Sequence, residues 1–473
     1  MTTIAFAVLV VGLTLHNVAM AQLWDLGVRG SALDVVAAWK ETLLLAALLV
    51  VAWHVRRRPP VKIADVLAAS YALIILVYAA IPQHVLGGEA TTRGELLALR
   101  HHLLPVAAYA LGRLVWIAWG DRRQLGSLIA ISAFLVAVVG LLDLGLVSLQ
   151  AWRDSGVPGW YREQLGLDYR GLSGLPENWV YNTGSEDNPI RRLVSTFLSP
   201  LASAYVLVIA LIYLVGRPLR WWSVALALLL YVALLYTHTR AALAAFVLGL
   251  VVLALAQRRV LPLAVAGAAV AAGALFLVAY PTIGPSTSYT QEELEFLREN
   301  ARKQGGTSGD PFAGNESSTA SHFRNLRAGI KVVVHHPQGF GLGNAGVTAK
   351  RTGVDVRAGE STYTELGVDA GVAGAVAFIL WNLAVLAGLL RRESWLAAAF
   401  VAVLAIGLQT DVIGIHWIAF TVWAVAGLTL GQPRRVRGVD TSVLPLAVGP
   451  AAVEAPPPEG ADAGVAEDAT VGP

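Results

Sequence analysis

The sequence predicts an all-α polytopic membrane protein with about twelve transmembrane helices. Of the 473 residues, 56% are hydrophobic and only 14% are charged, whereas a typical soluble protein carries roughly 25% charged residues. Apolar runs of about 17–25 residues, each long enough to cross the hydrocarbon core as a helix, recur along the chain. This composition excludes a soluble enzyme, a disordered protein and a nucleic-acid-binding protein.

Short connectors with alternating charge separate the predicted spans. The spans cover approximately residues 3–21, 33–54, 64–82, 97–119, 125–148, 194–215, 220–237, 240–256, 260–280, 362–390, 394–410 and 412–430. Arginines follow every even-numbered span, at Arg56–Arg58, Arg122, Arg217, Arg258, Arg391 and Arg434. Because basic residues collect on the cytoplasmic side, this pattern predicts that both termini are cytoplasmic. The first run has no basic region before it, which favours a span over a cleaved signal peptide.

Two connectors are long and are predicted to be extracytoplasmic. The first, about 149–190, contains Trp152, Trp160 and Trp179, aromatic residues that suit the headgroup zone of a bilayer. The second, about 281–359, lies between spans nine and ten. We therefore expect a transmembrane domain that carries a large extracytoplasmic loop.

The second loop is predicted to contain two helices. One begins at the capping-box pattern Thr290–Glu293 and runs to about Lys303. The other covers Ser321–His336, where a cationic stripe lies beside an apolar face. The transmembrane domain is predicted to end at residue 437. Residues 438–473 contain no Lys or Arg and predict a disordered cytoplasmic tail.

Cations concentrate at the predicted extracytoplasmic ends of the spans. The candidate anion-binding residues are Arg191, Arg192, Arg240, Arg324 and Arg327. Further basic residues in this rim are Arg93, Arg100, His101, His102, His238, His322, Lys331, His335 and His336. Arginine binds phosphate through its bidentate fork, so the rim predicts binding of an anionic headgroup. For Arg240, which begins a span, the alternative is a side chain that only snorkels to the interface.

Carboxylates follow the large loop, at the predicted outer end of span ten. Glu365 and Asp369 are separated by four residues and share a helix face, and Glu360 precedes them. A carboxylate at a membrane edge can act as a general base that activates a hydroxyl group. The alternative is a solvated helix start whose acids complement the helix dipole.

Neither a metal site nor a cofactor is predicted. Cysteine is absent, which excludes disulfides and thiolate ligands. His335 and His336 are adjacent and do not point the same way on a helix. The glycine-rich segment 337–344 does not follow a strand, so we read it either as a close approach to a ligand or as a simple turn.

Three separated motifs resemble those of the O-antigen ligase and polymerase superfamily, the WaaL/Wzy-type membrane glycosyltransferases of bacterial envelopes. The first is Arg192-Leu-Val-Ser-Thr-Phe-Leu-Ser-Pro, at the entry to a span. The second is Thr237-His-Thr-Arg-Ala-Ala, in the turn before span eight. The third is dispersed over Ser321-His-Phe, His336-Pro-Gln-Gly-Phe-Gly and Glu360-Ser-Thr-Tyr-Thr-Glu. Many ligases have His-Asn where this chain has Glu360-Ser361.

The resemblance implies a GT-C-like fold and a reaction. A glycan is expected to move from a polyprenyl diphosphate carrier, such as undecaprenyl diphosphate, to an acceptor hydroxyl at the outer face of the bacterial inner membrane. The transfer is expected to be metal-independent and inverting. The implied partners are the lipid-linked glycan as substrate, a glycan or lipid acceptor and membrane lipids, with no nucleic acid.

The resemblance also implies roles for individual residues. Arg192 and Arg240 are expected to bind the departing diphosphate, assisted by Arg191 or by a large-loop arginine, Arg324 or Arg327. Glu360 is the first choice for the base and His322 the second. Other candidates for the site are His238, His336 and Glu365.

Two alternatives stay open. A repeat-unit polysaccharide polymerase of the same superfamily would differ only in its acceptor. A transporter or lipid flippase would also need many spans and a charged site. Transporters, however, place charge near the bilayer midplane between matching halves, whereas here the charge concentrates at one face.

Overall fold

The computed structural model describes residues 2–55, 60–119, 125–181, 189–218, 220–304 and 317–431. Within these ranges the chain is mainly helical, and two short antiparallel strands pair Val180 with Arg191 and Tyr181 with Ile190. The predicted tail, 438–473, lies outside the described residues. The disorder of this tail and the cytoplasmic position of both termini stay predictions.

The elements follow the chain in this order. The first helices are α1 (Thr2–Asp25), α2 (Ser31–Ala37), α3 (Trp39–His54), α4 (Ile63–Ala80), α5 (Gln83–Leu86), α6 (Thr92–Trp119), α7 (Leu125–Leu146), α8 (Leu149–Arg153) and α9 (Val157–Gly159). A π-helical turn (Trp160–Gln164), a 3₁₀ turn (Glu177–Trp179), strands β1 (Val180–Tyr181) and β2 (Ile190–Arg191) and a second 3₁₀ turn (Ser195–Phe197) follow. The remaining helices are α10 (Pro200–Val215), α11 (Trp221–Tyr236), α12 (Arg240–Gln257), α13 (Leu261–Ile283), α14 (Gln291–Gln304), α15 (Ser317–His335), α16 (Gly346–Thr352), α17 (Thr362–Leu390), α18 (Ser394–Ile406) and α19 (His416–Gly431).

Each predicted span coincides with one helix, except that the bent pair α2 and α3 occupies the second. Among the described residues, six helices are long and apolar enough to cross a membrane, and the bent pair is a seventh candidate. The apolar helices α10, α11, α18 and α19 are shorter, and α6 carries several charges. The all-α, membrane-embedded character of the chain is confirmed. The count of twelve spans and the GT-C-like arrangement stay predictions.

Helices α6 and α19 pack together at the level of their backbones. A Cβ atom on Gly112 of α6 would overlap the carbonyl oxygen of Ala424 on α19. A Cβ atom on Gly427 of α19 would overlap the carbonyl oxygen of Tyr109 on α6. Small residues at such a crossing let the helices approach closely. In a bilayer, where the hydrophobic effect does not drive helices together, this close packing stabilises their association. The two glycines therefore fix α6, which carries several residues of the site described below.

A polar cluster ties α6 to α4. Asp65 of α4 accepts hydrogen bonds from the Arg113 guanidinium at 2.7 and 2.9 Å and from the Tyr109 hydroxyl at 2.7 Å. It also accepts one from the backbone N–H of Lys62 at 2.9 Å. A charge inside a helical bundle is costly unless it is paired in this way. The cluster therefore fixes α6 relative to α4.

Helix α17 is broken one third of the way along its length. Ala370 and Gly371 have non-helical backbone angles, and Gly371 has φ +64°. A Cβ atom at Gly371 would lie 2.6 Å from the Tyr78 hydroxyl and 2.8 Å from the backbone of Gln338. The glycine-rich segment 337–344 thus approaches protein backbone at this break, which supports its interpretation as a turn. The break separates a polar first part of α17 from an apolar second part.

The first long loop folds as a small core against α1 and α2. Trp160 and Trp179 are buried there, and the rings of Trp152 and Trp179 meet edge to face with centroids 5.6 Å apart. These tryptophans therefore pack inside the protein, where the sequence favoured a position at lipid headgroups. Burial of the indole rings gives the loop its own apolar core.

The second long loop begins as predicted. The Thr290 N–H donates to the Glu293 carboxylate at 2.8 Å, and the Glu293 N–H donates to the Thr290 hydroxyl at 3.3 Å, so the capping box is confirmed. Glu293 also pairs with Arg153 of the first loop at 2.6 Å. Helix α15 begins at Ser317, a few residues before the predicted start.

We expect Gly427→Ala to destabilise the protein by about 1–3 kcal/mol, because the added methyl group must displace the α6 backbone. Thermal unfolding of the purified protein measures this change. Gly267→Ala in α13 is the matched control, since no atom lies within 4 Å of its Cβ position. Equal unfolding temperatures for the two variants would contradict the backbone contact.

Candidate active site

A cavity of about 790 Å³ lies among α1, α3, α6, α15, α16 and the start of α17. Its volume is within the range of about 300–1,000 Å³ found for small-molecule sites. The wall carries charge of both signs. The charged lining residues are Asp34, Lys40, Arg93, Arg100, Lys350, Arg351, Arg357, Glu360, Glu365 and Asp411.

Glu360 lies at this cavity in contact with His322. The Nδ1 atom of His322 is 2.8 Å from Oε2 of Glu360. This hydrogen bond lowers the pKa of Glu360 against the opposing effect of burial, and a hydrogen bond from Asn325 adds to the lowering. The carboxylate is therefore ionised at neutral pH and able to accept a proton. Of the sequence candidates, the structure brings these two together.

The packing of α15 on α17 sets the distance between the two residues. A Cβ atom on Gly329 of α15 would lie 2.9 Å from the Thr364 side chain. A Cβ atom on Gly367 of α17 would lie 2.6 Å from the Val333 side chain. The two helices thus touch with almost no space between them, which holds His322 close to Glu360, two residues before α17. Glu360 itself adopts a left-handed backbone conformation, with φ +67°.

Buried carboxylates lie beside the first part of α17. Glu365 lines the cavity and is buried. Asp369 is also buried, and its Oδ2 atom is 3.0 Å from Nε2 of His102. Asp411 lies 3.3 Å from Nε2 of His101 and accepts the backbone N–H groups of the loop that follows it. Asp369 and Asp411 are therefore partnered by adjacent histidines of α6.

Cations on α6 and α16 make one side of the cavity positive. Arg93, Lys350 and Arg351 have no carboxylate within 4 Å in the described part of the chain. Burial, together with the neighbouring charges of Arg100 and Arg93, lowers the pKa of Arg351 to about 10. Arg351 stays protonated at neutral pH, so this wall attracts anions.

A second group of candidates lies at the turn between α11 and α12. The Arg192 guanidinium donates to the Thr237 carbonyl at 2.8 Å and to the Thr239 hydroxyl at 3.0 Å. Burial lowers the pKa of Arg192 to about 10, and Arg240 also acts to lower it. Arg192 therefore remains charged, and Arg240 lies close enough to repel it. Two adjacent guanidinium groups are suited to a dianionic ligand.

His238 fills the space beside these arginines. Its backbone is left-handed, with φ +48°, and its ring stacks on Tyr280 with centroids 4.6 Å apart. Burial lowers the pKa of His238 to about 3, and the charges of Arg192 and Arg240 contribute. The imidazole is therefore neutral at physiological pH and adds no charge to the turn.

Arg191 points away from Arg192. Its guanidinium lies 3.3 Å from the Asp143 carboxylate and donates to the Val147 carbonyl. Asp143 also accepts the indole N–H of Trp152 at 2.6 Å. Arg191 thus links β2 to the end of α7 in this structure. Its role in diphosphate binding stays a prediction.

Three candidates of the large loop do not line the cavity. Arg324 and Arg327 are exposed on α15. His336 is exposed after the end of that helix, with its ring 4.5 Å from the Phe340 ring. Their roles in the site stay predictions.

The sequence candidates thus form two groups of charged residues. The cavity has Glu360, and the turn between α11 and α12 has Arg192 and Arg240. Tyr205 of α10 interacts electrostatically both with Arg192 and with Thr410, which lines the cavity. In the described part of the chain, no three His, Asp or Glu side chains form a metal-binding group.

Several cavity residues were not identified as site candidates from the sequence. Lys350 and Arg351 lie on the short helix α16, within a loop that contains many polar residues. Lys40 is buried and its Nζ atom lies 3.1 Å from His16 of α1. A lysine inside a predicted apolar span is costly and often functional, and this signal could have identified Lys40 from the sequence.

Comparison with known proteins agrees with the motifs. Residues 224–379 match a family model described as O-antigen ligase. The matched region contains His238, Arg240, His322, Glu360 and Glu365 but ends short of α18. No curated protein matches this chain.

We expect Glu360→Gln to lower the unfolding temperature at neutral pH and to have little effect in acid. The folded pKa of Glu360 is depressed below its ordinary 4.5, so the ionised carboxylate stabilises the fold above that value. The stabilisation is lost as the pH falls through the folded pKa. Thermal unfolding of both proteins, from neutral pH to about pH 3, measures it. A difference that grows in acid would contradict the depressed pKa.

Proposed function

We propose that this chain transfers a glycan from a polyprenyl diphosphate to an acceptor hydroxyl, and the match of residues 224–379 to the O-antigen ligase family model supports the proposal. The observation that carries this proposal is the ionised Glu360, held by His322 at a cavity with an electropositive wall. The reaction is proposed to take place outside the cytoplasm and to need no metal ion.

Glu360 is proposed as the general base. Its carboxylate accepts the proton of the acceptor hydroxyl, and the oxygen then attacks the anomeric carbon of the donor sugar. His322 orients the carboxylate through the 2.8 Å contact. The bond between the anomeric carbon and the diphosphate oxygen breaks, and the diphosphate leaves with the electron pair. Attack from the face opposite the diphosphate inverts the anomeric configuration.

Arg192 and Arg240 are proposed to stabilise the departing diphosphate. Charge that develops on a leaving group is best stabilised by donors already in position, since they need not reorganise during the reaction. Arg192 is pre-positioned by its bonds to the Thr237 carbonyl and the Thr239 hydroxyl. His238 beside them is neutral, so it neither adds to nor offsets the positive charge at this turn.

Arg93, Lys350 and Arg351 are proposed to bind an anionic part of a substrate in the cavity. They have no carboxylate partner within 4 Å among the described residues, and they line the cavity together with Glu360. An acceptor with a phosphate or carboxylate group would place its hydroxyl near the base by pairing with this wall. Such pairing would raise the effective concentration of the acceptor at the reacting carbon.

A repeat-unit polymerase would use the same residues with another acceptor. In that reaction the acceptor is itself a lipid-linked glycan, so the product lengthens by successive repeats. A ligase would instead release the whole donor glycan onto a different acceptor in one step. The size distribution of the products in the assay below separates the two.

We expect Glu360→Gln to reduce the rate of glycan transfer by about 10²–10⁴-fold, the usual contribution of general base catalysis. The assay uses the full-length protein in vesicles with a polyprenyl-diphosphate-linked glycan. Asp355→Asn, a change at an exposed carboxylate five residues earlier, serves as the control and should leave the rate unchanged. Near wild-type transfer by Glu360→Gln would remove Glu360 as the base.

We expect Arg240→Ala to reduce transfer by at least about 10²-fold, because it removes a cation from the leaving group. Arg259→Ala is the matched control, since Arg259 is exposed beyond the opposite end of α12. Gel filtration and thermal unfolding show whether each variant is folded. Full transfer by a folded Arg240→Ala would favour the alternative, in which Arg240 only snorkels to the interface.

A further inference from the structure

Helix α15 has an apolar stripe that no part of the described chain covers. Phe323, Ile330 and Val334 are 64%, 50% and 68% exposed. Their spacing of seven and four residues places them on one face of the helix. Large apolar side chains that share an exposed face mark an interaction surface.

A second face of α15, about a quarter turn from the stripe, packs against α17. Gly329 and Val333 pack against Thr364 and Gly367 of α17, as described above. The orientation of the helix about its own axis is therefore fixed. The apolar stripe therefore faces away from the core of the protein. Rotation of α15 about its axis, which would bury the stripe, would break the packing on α17.

The stripe leads directly to the lipid-facing side of a candidate span. Val334 is followed by Pro337, whose carbonyl accepts the backbone N–H of Val372 on α17 at 2.8 Å. Val372 and Val376 are exposed on α17, which is long and apolar enough to cross a membrane. The end of α15 is therefore at the level where the apolar surface of α17 begins.

Cations accompany the stripe. Arg324, Arg327 and Lys331 are exposed on the same helix and have no ion pair with the described part of the chain. Arg327 follows Phe323 by four residues and lies on the apolar face itself. A helix with an apolar face and basic residues around it suits the boundary between acyl chains and anionic headgroups.

We propose that α15 lies in the surface of the bilayer, with Phe323, Ile330 and Val334 among the acyl chains and the three cations on anionic phospholipid headgroups. This role is separate from glycan transfer and does not depend on it. Because α15 also carries His322, membrane contact would hold the partner of Glu360 at a fixed depth relative to the bilayer.

The absence of cysteine from the chain makes this proposal testable with single labels. Phe323→Cys and Val334→Cys place a fluorescent label on the stripe. Ala328→Cys, also exposed on α15 but lining the cavity, is the matched control. The full-length labelled proteins are reconstituted in vesicles of phosphatidylglycerol and phosphatidylcholine, and quenching is measured with a water-soluble quencher and with nitroxide-bearing lipids.

We expect both stripe labels to be several-fold less accessible to the aqueous quencher than the Ala328→Cys label, and to be quenched by the nitroxide lipids. Replacing Arg327 and Lys331 by Gln should reduce the lipid quenching in phosphatidylglycerol vesicles more than in pure phosphatidylcholine vesicles. Because two stripe positions are labelled, the result does not depend on the folding of a single variant.

Two results would overturn the proposal. If the stripe labels are as accessible to the aqueous quencher as the control label, the stripe faces water. If they are shielded from that quencher but not quenched by nitroxide lipids, protein covers the stripe, from this chain or from a second copy.

Discussion

The buried carboxylate of Asp369 holds together the parts of the chain that surround the cavity. One of its oxygens lies 3.0 Å from His102 of α6, and the other accepts the backbone N–H of Asn344 at 3.1 Å. Asn344 ends the glycine-rich segment and leads into α16. Helices α6 and α17 and the large loop are thus fixed at one point. Lys350 and Arg351 on α16 and Glu360 before α17 take their positions from it.

The two charged groups of the site differ in how the fold supports them. At the turn between α11 and α12, Arg192 is held by the Thr237 carbonyl and the Thr239 hydroxyl, and the ring of His238 stacks on Tyr280. Such support leaves the charge of Arg192 unmatched by any carboxylate within 4 Å among the described residues. Arg191, one residue earlier, is matched by Asp143. Of these two neighbours in sequence, one therefore has a carboxylate partner and the other has a backbone carbonyl and a hydroxyl as partners.

Much of the fold could be predicted from the sequence, because apolar runs and capping residues are local signals. Every predicted span coincides with helix, and the capping box at Thr290 and Glu293 has the expected bonds. The contact of His322 with Glu360 joins residues 38 positions apart, and only the family resemblance placed both in one site. The pairing of Arg191 with Asp143 and the burial of Trp179 depend on tertiary packing, which no local pattern reports.

The backbone at Glu360 has a consequence for how this site can change over time. A left-handed conformation costs a residue with a side chain about 1–2 kcal/mol, whereas glycine adopts it freely. The backbone alone therefore favours glycine at position 360, whereas the hydrogen bond to His322 favours the carboxylate. Any other residue with a side chain keeps this backbone cost, and only a change to glycine removes it. If the proposed base were no longer needed, glycine would therefore be the replacement expected to accumulate at this position.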